Sequence, residues 1–425
     1  MTKVKSVRGM NDIKPEEVGL WQYVESNLRE VFASYGYDEI RFPLVEQTDL
    51  FSRSVGESSD IVNKEMYTFE DKGGDLLSLR PEGTAGCVRA CLENDLLRVD
   101  TPKLWYIGPM FRYERPQKGR SRQFHQASAE VFGIDSHTAD AELIMLSRNL
   151  WKKLEVEDKL NLEINSLGNS ETRERYKTHL NDFFKPFLKD LEEDSLRQLK
   201  QNPLRILDSK LDSVKDMLID APSIVDCLDK ESEDHFNKLL QHLSDSGIKF
   251  VINNQLVRGL DYYNKTVFEW KSKEIGSKDT VCGGGRYDSL VSLLGGKDCP
   301  AIGFSIGMER LILLLSDSSK LDSSFTSSID CSFICLTAES IPYALKKAEK
   351  IREKIPSLNL KVNLEASSAS SQFKRADKSG ANLALIVGEG ELKDNTISIK
   401  DLRGDKAQET LDLDQLINKL SEIYS

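Results

Sequence analysis

Two arginines set the first chemical expectation. Arg112 stands in Phe111-Arg112-Tyr113-Glu114, and Arg310 closes Gly303-Phe304-Ser305-Ile306-Gly307-Met308-Glu309-Arg310. Each lies beside an apolar strand-like or helix-like segment. Guanidinium groups grip phosphate oxygens through paired hydrogen bonds. Nucleotidyl transfer needs such cations where charge builds up on those oxygens. No Gly-x-x-x-x-Gly-Lys-[Ser/Thr] loop occurs, so a P-loop is excluded and a triphosphate clamped from two sides is expected. Taken singly, an Arg-x-Glu is more often a surface ion pair.

Other groups suggest a second, smaller ligand. In Arg80-Pro81-Glu82-Gly83-Thr84, a carboxylate and a hydroxyl two residues apart can hold an α-ammonium group, or Thr84 can simply cap a helix. Phe124, Gln126 and Glu130 fall at alternating positions of one strand and so share a face. Leu256-Val257-Arg258-Gly259-Leu260-Asp261-Tyr262-Tyr263 places a cation close to two phenols. The plainer reading is a polar strand start with core tyrosines. Cys282-Gly283-Gly284-Gly285-Arg286-Tyr287-Asp288 offers three glycines, for close approach to a ligand or for a hairpin turn.

The elements that must position these groups follow from periodicity. An amphipathic helix is predicted from Pro15 to Ala33, stopped at Tyr35-Gly36-Tyr37, and a strand at Asp38 to Pro43. Strands are predicted at Met66–Phe69, Leu76–Arg80, Lys103–Gly108 and Gln126–Phe132. Hairpin links without regular helical crossovers point to an α+β domain, a mostly antiparallel sheet flanked by helices. From 169 to 245, Lys, Glu, Asp and Leu recur at helical spacing, which reads as a helical insertion; strand pattern resumes at Lys249–Ile252. A Ser/Asp-rich linker over 316–328 separates domain 1–325 from a module at 329–425. There, strands at Cys331–Leu336, Leu358–Leu364, Ala381–Val387 and Thr396–Lys400 alternate with helices at Ala344–Lys354, Phe373–Ser379 and Leu413–Ile423, a small α/β unit.

Bulk properties narrow the class. The 425 residues carry 58 Lys+Arg against 69 Asp+Glu, a net charge of −11, the wrong sign for a surface that binds nucleic acid everywhere. Five basic residues and one acidic residue between Arg112 and Arg122 make a local positive stripe for RNA instead. No run approaches the roughly 18 apolar residues of a membrane span, and no apolar run follows the basic start, so no secretory signal is expected. Seven cysteines without a Cys-x-x-Cys pair argue against structural zinc or a disulfide framework, hence for a reducing, cytoplasmic setting.

Together the Arg112 and Arg310 segments and the Arg258–Tyr263 block resemble the class II aminoacyl-tRNA synthetases, the histidyl-tRNA synthetase family in particular. The likeness runs from Arg8-Gly9-Met10-Asn11-Asp12 to the final helix and is weakest across the insertion. It implies activation of L-histidine with ATP and Mg2+, then transfer to the 3′ end of tRNA-His. It implies Arg112 on the α-phosphate, Glu114 near the adenine amino group, Phe124 stacked on the base, Arg120 at the triphosphate tail and Arg310 on the γ-phosphate. Glu82 and Thr84 would take the α-ammonium group and Gln126 the amino-acid backbone. Glu130 and Tyr263 would grip the imidazole, with Tyr262 closing the pocket. Arg258 would sit by the α-phosphate and substrate carboxylate, acting with Arg112 in catalysis. The glycine run would line the histidine pocket. Arg115 and Gln117 would read the acceptor end. The first helix and strand would form a homodimer interface, and the last module would bind the anticodon. No protein side chain is assigned to metal. Ser305 replaces a glycine common in the family, which predicts only tighter packing. The competing implication is the regulatory subunit of ATP-phosphoribosyltransferase, which keeps the core without the tRNA-binding end. A sensor of uncharged tRNA would carry a kinase signature, absent here, and prolyl or threonyl enzymes would not carry the Arg258–Tyr263 block.

Overall fold

The protein is described from a computed structural model covering residues 3–56, 59–98, 101–209, 211–276, 279–316, 329–365, 367–404 and 407–424, save the side chains of 194 and 201. Most of the linker expected at 316–328 lies outside them. Two compact units divide the chain, 1–325 and 326–425.

Helix α1, Pro15–Ser34, opens the first unit. Proline at its first position costs no hydrogen bond there, and the Glu17 carboxylate accepts the Lys14 N–H at 3.1 Å. Trp21, Val24, Leu28, Val31 and Phe32 form its buried stripe, the spacing of a helix seated on a sheet. The expected strand after it is only Asp38–Glu39, β1. Next come β2 Val45–Gln47, α2 Thr48–Val55, β3 Tyr67–Glu70, β4 Leu76–Leu79 and α3 Thr84–Glu93. The long hairpin β5 Lys103–Phe111 and β6 Gln123–Phe132 leads to α4 His137–Lys153 and β7 Asn161–Ser166. Residues 170 to 245 form α5 Ser170–Phe184, α6 Glu193–Gln201, α7 Asp212–Leu218 and α8 Lys230–Asp245, joined by short 3-10 turns. The unit ends with β8 Phe250–Ile252, β9 Asn264–Lys271, β10 Thr280–Arg286, α9 Leu290–Leu293, β11 Ala301–Gly307 and α10 Met308–Ser316.

Eight of these strands form one sheet in the order β1-β5-β6-β11-β10-β9-β7-β8. Its outermost pairs are parallel and the inner pairs antiparallel. Side chains alternate across a sheet, and here the two faces differ in kind. One cross-strand row reads Phe268, Gly284, Phe304, Ala129, Trp105, and the next Trp270, Cys282, Ile306, Ala127, Ile107. These meet α1, α4 and α10 in the main apolar core. Fully burying one Leu-sized side chain there contributes roughly 1.5–3 kcal/mol. The opposite face reads Glu269, Gly283, Ser305, Ser128, Tyr106, and beside it Val267, Gly285, Gly303, Glu130, Leu104. The glycine run expected to be a loop or turn is therefore the central strand β10. Ser305 does more than tighten packing: its hydroxyl pairs with that of Ser128 at 2.8 Å.

A separate antiparallel sheet has the order β2-β4-β3. The second unit holds β12 Cys331–Cys335, α11 Ser340–Lys354, β13 Leu360–Val362, α12 Ala369–Lys378, β14 Leu383–Val387, α13 Glu389–Asp394, β15 Ile397–Asp401, β16 Glu409–Leu411 and α14 Leu413–Tyr424. Its sheet is mixed, β13-β12-β14-β15-β16, with β12 parallel to both neighbours and the last two pairs antiparallel. Neither α13 nor β16 was expected. No described helix is long and apolar enough to cross a membrane.

Candidate active site

A cleft of about 500 Å³ opens on the polar face of the large sheet. Arg112, Glu114, Arg120, Phe124, Gln126, Arg258 and Arg310 all line it, so residues more than 190 positions apart in the chain converge. Its four arginines fall into two kinds. Arg120 pairs with the buried Glu114, and Arg258 with Glu269. Arg112 and Arg310 make no ion pair with a described residue. Arg112 donates from Nε to the Pro81 carbonyl at 2.8 Å, and its guanidinium lies 5.3 Å from the Phe124 ring centre. Arg310 donates to the Gly119 carbonyl at 3.3 Å and the Thr280 carbonyl at 2.5 Å. Burial, then the neighbouring Arg120 charge, lower its pKa. Carbonyls aim these two cations without neutralising them, which suits an anionic ligand. Among the described residues, the buried Gln126 Oε1 and Arg258 Nε at the cleft find no hydrogen-bond partner. Such atoms cost free energy until a ligand or water satisfies them.

Arg115 and Gln117 stand apart on an exposed turn outside the cleft lining. Backbone bonds between Gln117 and Arg120, 3.0 and 2.9 Å, close that turn around Gly119, whose φ of 69° favours glycine.

Behind the cleft a buried polar cluster holds the remaining candidates. Gly83 is the N-cap of α3, and the carboxylate of Glu82 just before it accepts the N–H groups of Thr84 and Ala85 at 2.8 and 2.9 Å. Thr84 is therefore not the cap; its hydroxyl donates to Glu130 at 2.9 Å. Tyr262 lies over Glu82, O–H to carboxylate 3.5 Å. Tyr263 stacks near Arg258, 5.7 Å from ring centre to guanidinium. Glu130 is fully enclosed, and burial pushes its carboxyl up to about 8 against the hydrogen bonds of Tyr287, Tyr106 and Thr84. Glu82, Thr84, Glu130 and Tyr262 pack into one another and do not line the cleft itself.

Long-range partners went unnoticed in the sequence. Glu269 faces Arg258 from β9 and also accepts from Thr280 Oγ1 at 2.9 Å. A polar residue between Phe268 and Trp270 was its available signal. Arg286 and Asp140, both without exposure, pair at 2.7 Å. Asp140 also takes His235 Nε2 at 2.8 Å and Thr266 Oγ1 at 2.5 Å. Burial opposes the Asp140 charge, but His235 and Arg286 outweigh it and lower its pKa. This hub ties α4 and α8 to the end of β10, one residue before Tyr287.

Gly303 completes the enclosure. It pairs across the ladder with Glu130, and a Cβ there would overlap the Glu130 carboxylate. Gly303→Ala is expected to cost about 1–3 kcal/mol of stability by overpacking and to weaken binding at this cluster. A thermal melt identical to wild type would show that the carboxylate has room to move.

The domain arrangement matches known proteins over both units. The histidyl-tRNA synthetase family model matches residues 9–311, and an anticodon binding domain model matches residues 330–423. The apo histidyl-tRNA synthetase of S. aureus superposes with a TM-score of 0.81 at 33% identity, covering 98% of this chain and 99% of that one. The chain belongs to the histidyl-tRNA synthetase family. It has the class II synthetase-like fold, with a C-terminal anticodon-binding domain built on its own sheet. More distant structures share that fold. The Nostoc histidyl-tRNA synthetase gives a TM-score of 0.69 at 22% identity, with all of both chains covered. A Bacillus halodurans protein described as an ATP phosphoribosyltransferase regulatory subunit/histidyl-tRNA synthetase gives 0.62 at 21%, covering 88% of this chain and 97% of that one.

Proposed function

We propose that this chain is a histidine–tRNA ligase. Arg112 and Arg310 flanking one cleft, without carboxylate partners among the described residues, are the observation that carries the reading. In the first step a histidine carboxylate oxygen attacks the α-phosphorus of ATP, and the bond to the pyrophosphate leaving group breaks. Two anions must meet, so cations at that point lower the barrier. Arg112 and Arg258 serve the reacting centre and Arg310 the far phosphate. Phe124 and Glu114 take the base, with Arg120 at the triphosphate tail. In the second step a ribose hydroxyl at the 3′ end of tRNA-His attacks the histidyl carbonyl and AMP leaves. Arg115 and Gln117 meet the acceptor end.

Among the described residues no group of three His, Cys, Asp or Glu side chains is placed to hold a metal. Of the carboxylates lining the cleft, Glu114 and Glu269 are engaged by arginines and Glu309 by His125. Mg2+ bound together with ATP would neutralise phosphate charge.

Histidine-dependent exchange of pyrophosphate into ATP tests the reading directly. A folded chain that binds histidine but exchanges nothing would instead fit a regulatory paralogue. We further propose a cytoplasmic homodimer. Leu44, Val45, Phe69 and Leu76 are exposed apolar side chains at or beside the three-stranded sheet, and obligate dimers often lack a stable monomer. An active monomer by light scattering at assay concentration would refute the dimer. Deleting 328–425 is expected to spare exchange and weaken tRNA charging, because the proposed chemistry lies in the first unit. Loss of exchange in a well-folded truncation would place the second unit in the adenylation machinery.

A further inference from the structure

We propose that Tyr106 and Tyr287 are positioning residues that hold the Glu130 carboxylate as a single-site acceptor for one ring N–H. The inference rests on the reading of Glu130 as the residue that meets the substrate ring. Three elements converge on this carboxylate. Thr84 Oγ1, at the start of α3, and the Tyr106 hydroxyl, on β5, each reach Oε1 at 2.9 Å. The Tyr287 hydroxyl, just past β10, reaches Oε2 at 2.5 Å. All three are O–H groups, and both tyrosines are buried.

In its ionised form, which hydrogen-bond donors including an incoming ring N–H favour, the carboxylate offers about four acceptor sites. Three donors here leave one, on Oε2. That is enough for a lone N–H and insufficient for the two-oxygen grip a guanidinium needs. The carboxylate is also blocked from shifting. A Cβ at Gly303 would overlap it, so the β11 backbone lies directly against it, and Tyr106 is in turn pressed against Gly83. Chemical selection thus depends on two phenols that need not touch the substrate. The Arg286 to Asp140 ion pair anchors the residue next to Tyr287, which fixes that phenol from the main chain.

Equilibrium binding of L-histidine to the full chain, by calorimetry, tests this with Tyr287→Phe and Tyr106→Phe. Each variant keeps the ring and removes only the hydroxyl. Histidine Kd is expected to rise about 10-fold in either variant, as for one lost bond to a charged group. The Kd for ATP should stay within about two-fold. Discrimination against 3-(2-thienyl)alanine, which has no ring N–H, should fall by the same factor as histidine affinity. Equal weakening of histidine, thienylalanine and ATP would indicate general loosening and overturn the proposal. Unchanged histidine Kd in both variants would overturn it as well. Binding separates it from the catalytic reading: a wild-type chain that binds histidine without pyrophosphate exchange removes the ligase function and leaves this claim intact. A wild-type chain that binds no histidine removes both.

Discussion

Glu130→Gln is expected to give a protein that is more stable above pH 8 and worse at choosing histidine. Burial lifts this carboxyl from its ordinary 4.5 to about 8, with the hydroxyls of Tyr287, Tyr106 and Thr84 pulling the other way. Between those values the folded state holds a proton that the unfolded state has released. Stability therefore falls as pH rises through that window. The full contribution, on the order of 5 kcal/mol, is present below about 4.5 and lost above about 8. Glutamine has no such proton to lose, and rotating hydroxyls can satisfy its amide. The melting-temperature advantage of the variant should be small at pH 5 and large at pH 8.5. An equal difference at both pH values would show that Glu130 does not titrate in this window. The functional loss should be roughly 1.5–3 kcal/mol in kcat/KM for histidine, for one charge-assisted hydrogen bond, with ATP binding nearly intact. Unchanged histidine kinetics with a large rise in the ATP KM would place the residue in the wrong pocket.

Arg258→Ala should cripple adenylate formation more than it weakens histidine binding. The guanidinium lies against Gly283, where no side chain intervenes, and pairs with Glu269. Losing a donor that acts on transition-state charge typically costs about 3 kcal/mol, roughly 150-fold in rate. Stability should suffer less than for most broken buried pairs, because Lys271 Nζ, 3.4 Å from Glu269, and Thr280 still attend that carboxylate. The check is exchange kinetics at varied histidine. A wild-type maximal rate with only a raised histidine KM would assign Arg258 to ground-state binding.

Most of what positions the site was legible in the sequence, for physical reasons. α1 announces itself by its stripe and its proline. Phe124, Gln126 and Glu130 share a face because the strand period is two, and β6 pairs with both neighbours without a register shift. The run 282–286 misled because glycine is a poor strand former on local grounds. Ladders on both sides make it a strand, and neither is visible within a short window. Pairings such as Glu130 with Tyr287, 157 residues apart, leave no periodic trace. The tyrosine was in plain view beside Arg286, but its partner was not. The resemblance to a family identified Glu82 and Thr84 as candidates without revealing that one accepts the first N–H groups of α3 and the other binds Glu130.

The bare floor of the site has an evolutionary consequence. Gly108, Gly283, Gly285 and Gly303 share the polar face, and a methyl at each would strike a different neighbour: Arg80, Arg258, the Thr266 carbonyl and Glu130. Four unrelated collisions cannot be relieved by one compensating change elsewhere. Random mutation can therefore reshape this pocket from its rim, but hardly from below. A laboratory library seeking a new substrate would waste its diversity on these glycines and should spend it on side chains that line the cleft, such as Gln126 and Val257.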